Sequence, residues 1–223
     1  MRSDFDPTAM SARDFYRLLT AVVVPRPIAW VSSVSPEGVD NLAPHSFFTV
    51  ASTDPPIVQF TSVGEKDTLR NITGSGEFVV NLAPSALLEE VNATGTNFPA
   101  DVSEFDAAGV TREPSLTVGA QRVKESLAVL ECRLHLILPI GDSTLVFGEV
   151  THAAVSDTVL DGSHPRIEQL EPLSRLGLDE WGTWATSTTS KGSVSETGQE
   201  ISAPRPKFGR AQGGLRYAKN GFR

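Results

Sequence analysis

The stretch Gly64-Glu65-Lys66-Asp67-Thr68-Leu69-Arg70-Asn71 sets two cations where a helix begins. The N-terminus of a helix is the positive end of its dipole, so Lys66 and Arg70 sit badly there unless an anion is near. Asp67 is suited to cap that helix, its carboxylate accepting from N–H groups two and three residues on. Thr61 and Ser62 bring two hydroxyls to the end of the preceding apolar run. A lysine and hydroxyls beside free helix N–H groups make an anion site, and phosphate is the common occupant of such sites. Ordinary solvated surface charges are the other reading, and local chemistry leaves both open.

A second segment, Asn41–Phe48 (NLAPHSFF), raises a related question. As a strand it points Leu42, Pro44, Ser46 and Phe48 one way and Ala43, His45 and Phe47 the other. Pro44 cannot donate to a ladder, which places the strand at an edge or at a bulge that frees backbone groups for a ligand. A barrel strand with a buried, backbone-bonded serine explains the same residues.

Other chemistries find little support. Histidines 45, 135, 152 and 164 have no ligand-like spacing and Cys132 has no partner, so no metal site is expected and Cys132 reads as a core residue. There is no G-x-S-x-G elbow, no G-x-G-x-x-G after a strand and no G-x-x-x-x-G-K-[ST]. With no evident acid, base or nucleophile, either the protein is not an enzyme or a cofactor carries the chemistry.

The elements that would position these groups are mostly strands. Residues 28–35 and 42–50 flank the turn Pro36-Glu37-Gly38, and further strands are expected at 57–63 and 77–82. Residues 129–138 alternate, with Leu130, Cys132, Leu134, Leu136 and Leu138 on one face and Glu131, Arg133 and His135 on the other, a half-buried strand. Gly141-Asp142 then leads to a hairpin partner at 144–152. Short helices are expected at 10–20, 67–73 and 85–92, with a turn near 103–108. Strands joined by short turns with irregular helices favour a mainly β, antiparallel barrel or sandwich.

The chain of 223 residues is long enough for one sizeable core, expected over residues 1–181. Its formal charge of −8 argues against a nucleic-acid partner. From Gly182 onward seven Lys or Arg face two Glu, net +5, leaving −13 on residues 1–181. Residues 182–223, rich in Ser, Thr, Gly and Pro, read as a basic extension, flexible or ordered by a partner. One cysteine, no secretory signal and no apolar run long enough to span a membrane make a cytoplasmic protein the expectation.

Nine motifs in one order, PRPIAWVSS (25–33), NLAPHSFF (41–48), DPPIV (54–58), EKDTLRNI (65–72), GEFVVNL (76–82), SEFDAAGV (103–110), LECRL (130–134), GEV (148–150) and LSRLGL (173–178), resemble the flavin reductase-like family with the FMN-binding split-barrel fold. The resemblance runs from about residue 10 to 180. It implies a six-stranded antiparallel split barrel with Greek-key features and a few short helices, a homodimer, bound FMN or in some members FAD, and NADH or NADPH as electron donor. It also implies a partner monooxygenase that receives reduced flavin, or a flavoredoxin-like electron carrier without direct NAD(P)H activity. A flavin-free binding module on the same barrel is a third possibility.

Carried onto this chain, the resemblance gives the phosphate to Lys66, Thr68 and the helix N–H groups, with Asp67, Thr61 and Ser62 beside them. It lays the flavin along Asn41, Ala43, Ser46 and Phe47, adds Trp30 and Ser32 from the preceding strand, and includes Asn81 and Arg175. No residue is assigned a catalytic role, because flavin carries the chemistry. Members commonly continue RLGG with an aromatic three residues on; here Gly177 precedes Leu178, Asp179, Glu180 and Trp181, so the substrate face departs from the pattern.

Overall fold

A computed structural model describes residues 1–183. Apart from Gly182 and Thr183, the expected extension lies outside the described residues. The architecture is mainly β, as expected: seven strands, β1 (Ala29–Val34), β2 (Asp40–His45), β3 (Phe48–Thr53), β4 (Pro56–Val63), β5 (Glu77–Leu82), β6 (Ala128–Ile140) and β7 (Ser143–Val155), form one sheet in the order β2-β1-β5-β6-β7-β4-β3. Every pairing is antiparallel.

The order explains the barrel. β2 and β3 follow each other in sequence yet lie at opposite edges, which in a flat sheet would be about 29 Å apart at ~4.8 Å per strand. Only Ser46 and Phe47 join them, a reach of about 10 Å. The sheet must therefore curl until its edges approach, and Thr61 N–H donates to Phe47 carbonyl at 2.9 Å, carrying the β3–β4 ladder up to that crossing. Residues 42–50, expected as one return arm, are thus two strands broken at Ser46-Phe47, and the barrel has seven strands where the resemblance implied six. Pro44 lies on an edge strand, as its missing N–H requires.

Ala29 and Val31 point into the barrel with Val58, Phe60, Phe78 and Val80. Ile28 and Trp30 point outward into a second core with Leu42, Val91, Phe105 and Leu173, built under two short helices, α3 (Leu88–Ala93) and α4 (Glu104–Ala108). Both faces of β1 are covered, which is why its sequence is not half polar. At Gly148 a Cβ would lie 2.2 Å from Phe78 Cζ, so only glycine lets that ring fill the interior where the β6–β7 register shifts.

The alternation expected over 129–138 holds only at its start. β5 pairs with residues 129–133 alone; beyond them Leu136, Leu138 and Ile140 are 49%, 41% and 54% exposed. Glu131, placed by alternation on the polar face, is fully buried, because the segment 115–122 folds over that face.

Candidate functional site

The helix Asp67–Ser75 starts near β2, where that strand comes close to β4. Lys66, not Asp67, holds the N-cap position, with extended backbone and no side-chain cap bond. Asp67 is the first helical residue, and its carboxylate pairs with Arg70 one turn on. The expected cap is therefore an internal ion pair, and Arg70 has its negative partner there. The first intrahelical bond runs from Arg70 N–H to Lys66 carbonyl, so the N–H groups before it are free to face a ligand.

A cleft of about 230 Å³ opens at this point, walled by Asn41, Ala43, Pro44, His45, Ser46 and Phe47 on one side. Thr61, Lys66, Asp67 and Thr68 close its end, and residues 94–98 (Thr-Gly-Thr-Asn-Phe) with Tyr16 form the opposite wall. Eight of the expected residues are thus gathered in one place: Asn41, Ala43, Ser46, Phe47, Thr61, Lys66, Asp67 and Thr68. Lys66 Nζ spans the mouth to donate to Asn97 Oδ1 at 3.2 Å.

A second depression continues from the first through Pro44, Ser46, Gly95 and Thr96 and ends at Arg175 and Trp181. The Arg175 guanidinium lies 4.6 Å from the Trp181 ring centroid and donates to Leu178 carbonyl at 2.8 Å. The departure after Arg175-Leu176-Gly177 therefore brings its aromatic back to the groove: Trp181–Gly182 pairs with Ser174–Arg175. Arg26 ties the same loop to the helix Ala12–Val22, donating to Thr20, Val23 and Leu176 carbonyls.

Four expected residues do not line the groove. Trp30 is buried in the outer core, and its Nε1 donates to Thr94 Oγ1 at 2.9 Å, so it holds the cleft's wall from behind. Ser32 donates to Gln121 carbonyl at 2.5 Å, and Asn81 ties Trp30 carbonyl, Ser32 Oγ and Val123 N–H together. Ser62 turns into the barrel and donates to Gly64 carbonyl at 3.1 Å. All four are fully buried with their polar atoms paired internally. The resemblance implied ligand contacts for them; here they lie behind the groove, Trp30 and Ser32 on β1, Asn81 on β5 and Ser62 on β4.

The 94–98 run and Glu104 were not singled out. A small, polar, glycine-containing run directly after a helical segment was the available signal for the first. At Gly95 a Cβ would meet Asn92 carbonyl at 3.2 Å and Pro44 Cγ at 3.5 Å, so the absent side chain lets the run turn tightly after Asn92 and lie close to Pro44. Burial pushes the pKa of His45 down to about 4, and the neighbouring charge of Lys66 lowers it too, while a hydrogen bond to the Thr61 backbone opposes both; its Nε2 is buried without a hydrogen-bond partner. His45 is therefore neutral near pH 7. Burial pushes the Cys132 thiol up to about 12, with help from Glu131, so it is unreactive. Among the described residues no His, Cys, Asp or Glu cluster is arranged to hold a metal, and no helix is long and apolar enough to cross a membrane.

The groove's residues fit an extended ligand with one anionic end. A fixed cation and free helix N–H groups lie at that end, aromatic and small side chains line the middle, and an arginine stacked on tryptophan marks the other end. The neutral His45 adds an unpaired acceptor in the wall. At about 230 Å³ the first cleft is below the roughly 300–1,000 Å³ of enclosed small-molecule sites, so a larger ligand would lie partly outside it, along the second depression.

Comparison with known proteins bears on the family and the fold. The family model described as "Flavin reductase like domain" matches residues 21–169. An uncharacterized protein of Aquifex aeolicus is 40% identical over 168 residues, covering 73% of this chain and 86% of that protein. The structure of nitrilotriacetate monooxygenase component B from Bacillus cereus superposes with a TM-score of 0.82 at 31% identity, over 85% of this chain and 99% of that one. The 2-nitrobenzoate 2-nitroreductase of Pseudomonas fluorescens gives a TM-score of 0.80 at 29% identity, over 88% of this chain and 100% of that one.

Proposed function

The chain belongs to the flavin reductase-like family, and from that premise we propose that it is an NAD(P)H-dependent FMN reductase whose cofactor lies along the groove from Lys66 toward Trp181. The observation that carries this reading is the continuity of that groove from the start of the helix Asp67–Ser75, past the Ser46 break, to Arg175. Bound there, FMN, or FAD in its place, supplies the redox chemistry, taking hydride from NADH or NADPH.

The chain's own residues bind and orient. Lys66 and the first N–H groups of the helix take the phosphate. Phe47, Phe98 and Tyr16 give the groove an apolar wall, and Gly95 lets the 94–98 run lie close to Pro44. Trp30 fixes Thr94, while Asn81 and Ser32 stiffen the strand behind. Arg175, held over Trp181, offers a cation at the end where the second substrate arrives. No side chain need exchange a proton in such a reaction; proximity and orientation supply the rate.

Three further features follow the same reading. Exposed apolar residues on the helix Ala12–Val22 (Tyr16, Leu19, Val22) and on the β6 tip suit a homodimer. The likeness to a monooxygenase component B favours a partner oxygenase that takes up reduced flavin. The cytoplasm, which supplies reduced nicotinamides, is the compartment proposed for it.

The test is steady-state oxidation of NADH and NADPH with added FMN, after mass identification of any flavin released from the purified protein. Turnover with at least one nucleotide is expected. Bound flavin without turnover would make the protein an electron carrier, and a colourless protein taking up neither FMN nor FAD would make it a binding module.

A further inference from the structure

A buried carboxylate lies in the wall of the cleft's anionic end, and the chemistry above does not use it. Glu104, the first residue of α4, is 6% exposed. Its Oε2 accepts from Leu42 N–H at 3.0 Å and its Oε1 from Asn41 Nδ2 at 2.9 Å. Asn41 Oδ1 accepts in turn from Thr68 Oγ1 at 2.9 Å and from Ser33 Oγ at 3.3 Å, and Ser33 Oγ accepts from Asn71 Nδ2 at 3.2 Å.

This chain has a direction. Leu42 N–H can only donate, so one Glu104 oxygen is always an acceptor. An ionised Glu104 draws the Asn41 amino group to its other oxygen, which turns Asn41 Oδ1 toward Thr68 and commits the single Thr68 hydroxyl proton to it. Thr68 then has only lone pairs left for a ligand. A neutral Glu104 donates its proton to Asn41, the amide turns over, Asn41 Nδ2 donates to Thr68, and the Thr68 proton is released for the cleft.

We propose that Glu104 is a positioning residue for the cofactor phosphate: its charge sets the direction of the Glu104–Asn41–Thr68 chain, and so decides whether Thr68 meets the phosphate as acceptor or as donor. The proposal rests on the reading that the phosphate occupies the start of the helix Asp67–Ser75. An ionised Glu104 opposes a phosphate dianion both by its charge and by the lone pairs it turns toward the cleft. FMN binding is therefore coupled to proton uptake at Glu104.

The side chain is suited to that role. Burial pushes its pKa up, against hydrogen bonds from Leu42, its own backbone and Asn41 that hold it down. Lys66, Asp67 and His45 face it through the cleft. Glu37, Asp40 and Arg70 border it from the opposite side, Asp40 paired with Arg112 and Arg70 with Asp67.

The test is fluorescence titration of the full chain with FMN and with riboflavin, at about pH 5 and about pH 8. Glu104→Gln reproduces the neutral state, its Oε1 serving Leu42 N–H and its Nε2 serving Asn41. It should raise the preference for FMN over riboflavin about tenfold at the higher pH, the scale of one charge-assisted hydrogen bond. The gap from wild type should narrow as pH falls and the native carboxylate takes up its proton; ionisation of the phosphate itself is common to both proteins. At the higher pH, where Glu104 stays ionised, Thr68→Val should cost wild type little and Glu104→Gln its whole gain, with Thr68→Ser restoring it. Calorimetry in two buffers at a pH between these two should show more proton uptake with FMN in wild type than in Glu104→Gln, and none with riboflavin in either. An unchanged or lower FMN preference in Glu104→Gln, equal losses from Thr68→Val in both backgrounds, or proton uptake with FMN no greater in wild type than in Glu104→Gln overturns the proposal. Lys66→Ala separates the two levels: equal loss of FMN and riboflavin shows that the phosphate lies elsewhere and removes the reading and the proposal together. Selective loss of FMN with an unmoved Glu104→Gln removes the proposal alone.

Discussion

Lys66 and Asn97 meet across the mouth of the cleft, Nζ donating to Oδ1 at 3.2 Å. The ammonium is thereby tethered at the end of the cleft where the helix Asp67–Ser75 starts, and its carboxylate neighbour Asp67 is already engaged by Arg70. A phosphate arriving there would exchange a neutral amide partner for a charged one. Because Lys66 is exposed, the gain is screened and falls below that of a buried pair. Lys66→Ala should therefore weaken FMN by about five- to tenfold at low salt and riboflavin by less than about twofold, with the difference shrinking as salt is added. Isothermal titration with both ligands measures it.

Glu131 makes a different kind of claim, on stability. Its buried carboxylate accepts from Leu116 N–H, Thr117 N–H, Thr117 Oγ1 and the Arg122 guanidinium, pinning the segment 115–122 over the barrel face. Burial alone would raise its pKa, but these hydrogen bonds overcome burial and hold it down to about 2. The folded pKa is below the ordinary value of 4.5, so the contribution is fully present above that value and is lost as pH falls from it toward about 2. Glu131→Ala leaves Arg122 buried and unpaired, a loss of roughly 3–5 kcal/mol. Urea unfolding at neutral pH should show that loss. Repeated at about pH 3, the gap between wild type and variant should be visibly smaller; a gap independent of pH would mean that Glu131 contributes by packing alone.

Much of this was legible from residue order. The strands at 57–63 and 77–82 and the Gly141-Asp142 hairpin are local patterns, and they fall where local rules put them. What was misread depends on what covers a face. Glu131 follows the polar parity of its strand, yet a distant segment carries the donors that bury it. Trp30, Ser32 and Asn81 sit in motifs that mark a flavin site, but two cores close over β1 and turn them into its support. The break at Ser46-Phe47 could not be found by alternation, which continues through it. Only the spatial order of the strands requires that the chain cross from one edge of the sheet to the other there. Glu104 carries no local chemical signature and enters the site because its helix folds back onto β2.

The β6 tip bears on assembly. Leu136, Leu138 and Ile140 alternate along a segment that has left β5, and each remains between 41% and 54% exposed in the single chain. Burying such a row against a second copy would gain about 25 cal/mol per Å² of apolar surface removed from water, a stabilisation that no contact within the described residues supplies. A homodimer that uses this face should dissociate when charges are placed on it. Leu138→Glu with Ile140→Glu is expected to give a monomer by sedimentation velocity while keeping the wild-type far-UV spectrum, because neither residue packs in the barrel core. If the groove is completed by the second copy, the same double variant should also lose FMN. A monomer that binds FMN with undiminished affinity would confine the site to one chain, and an intact dimer would move the interface to another face, with the exposed Tyr16, Leu19 and Val22 of the N-terminal helix the next to be charged.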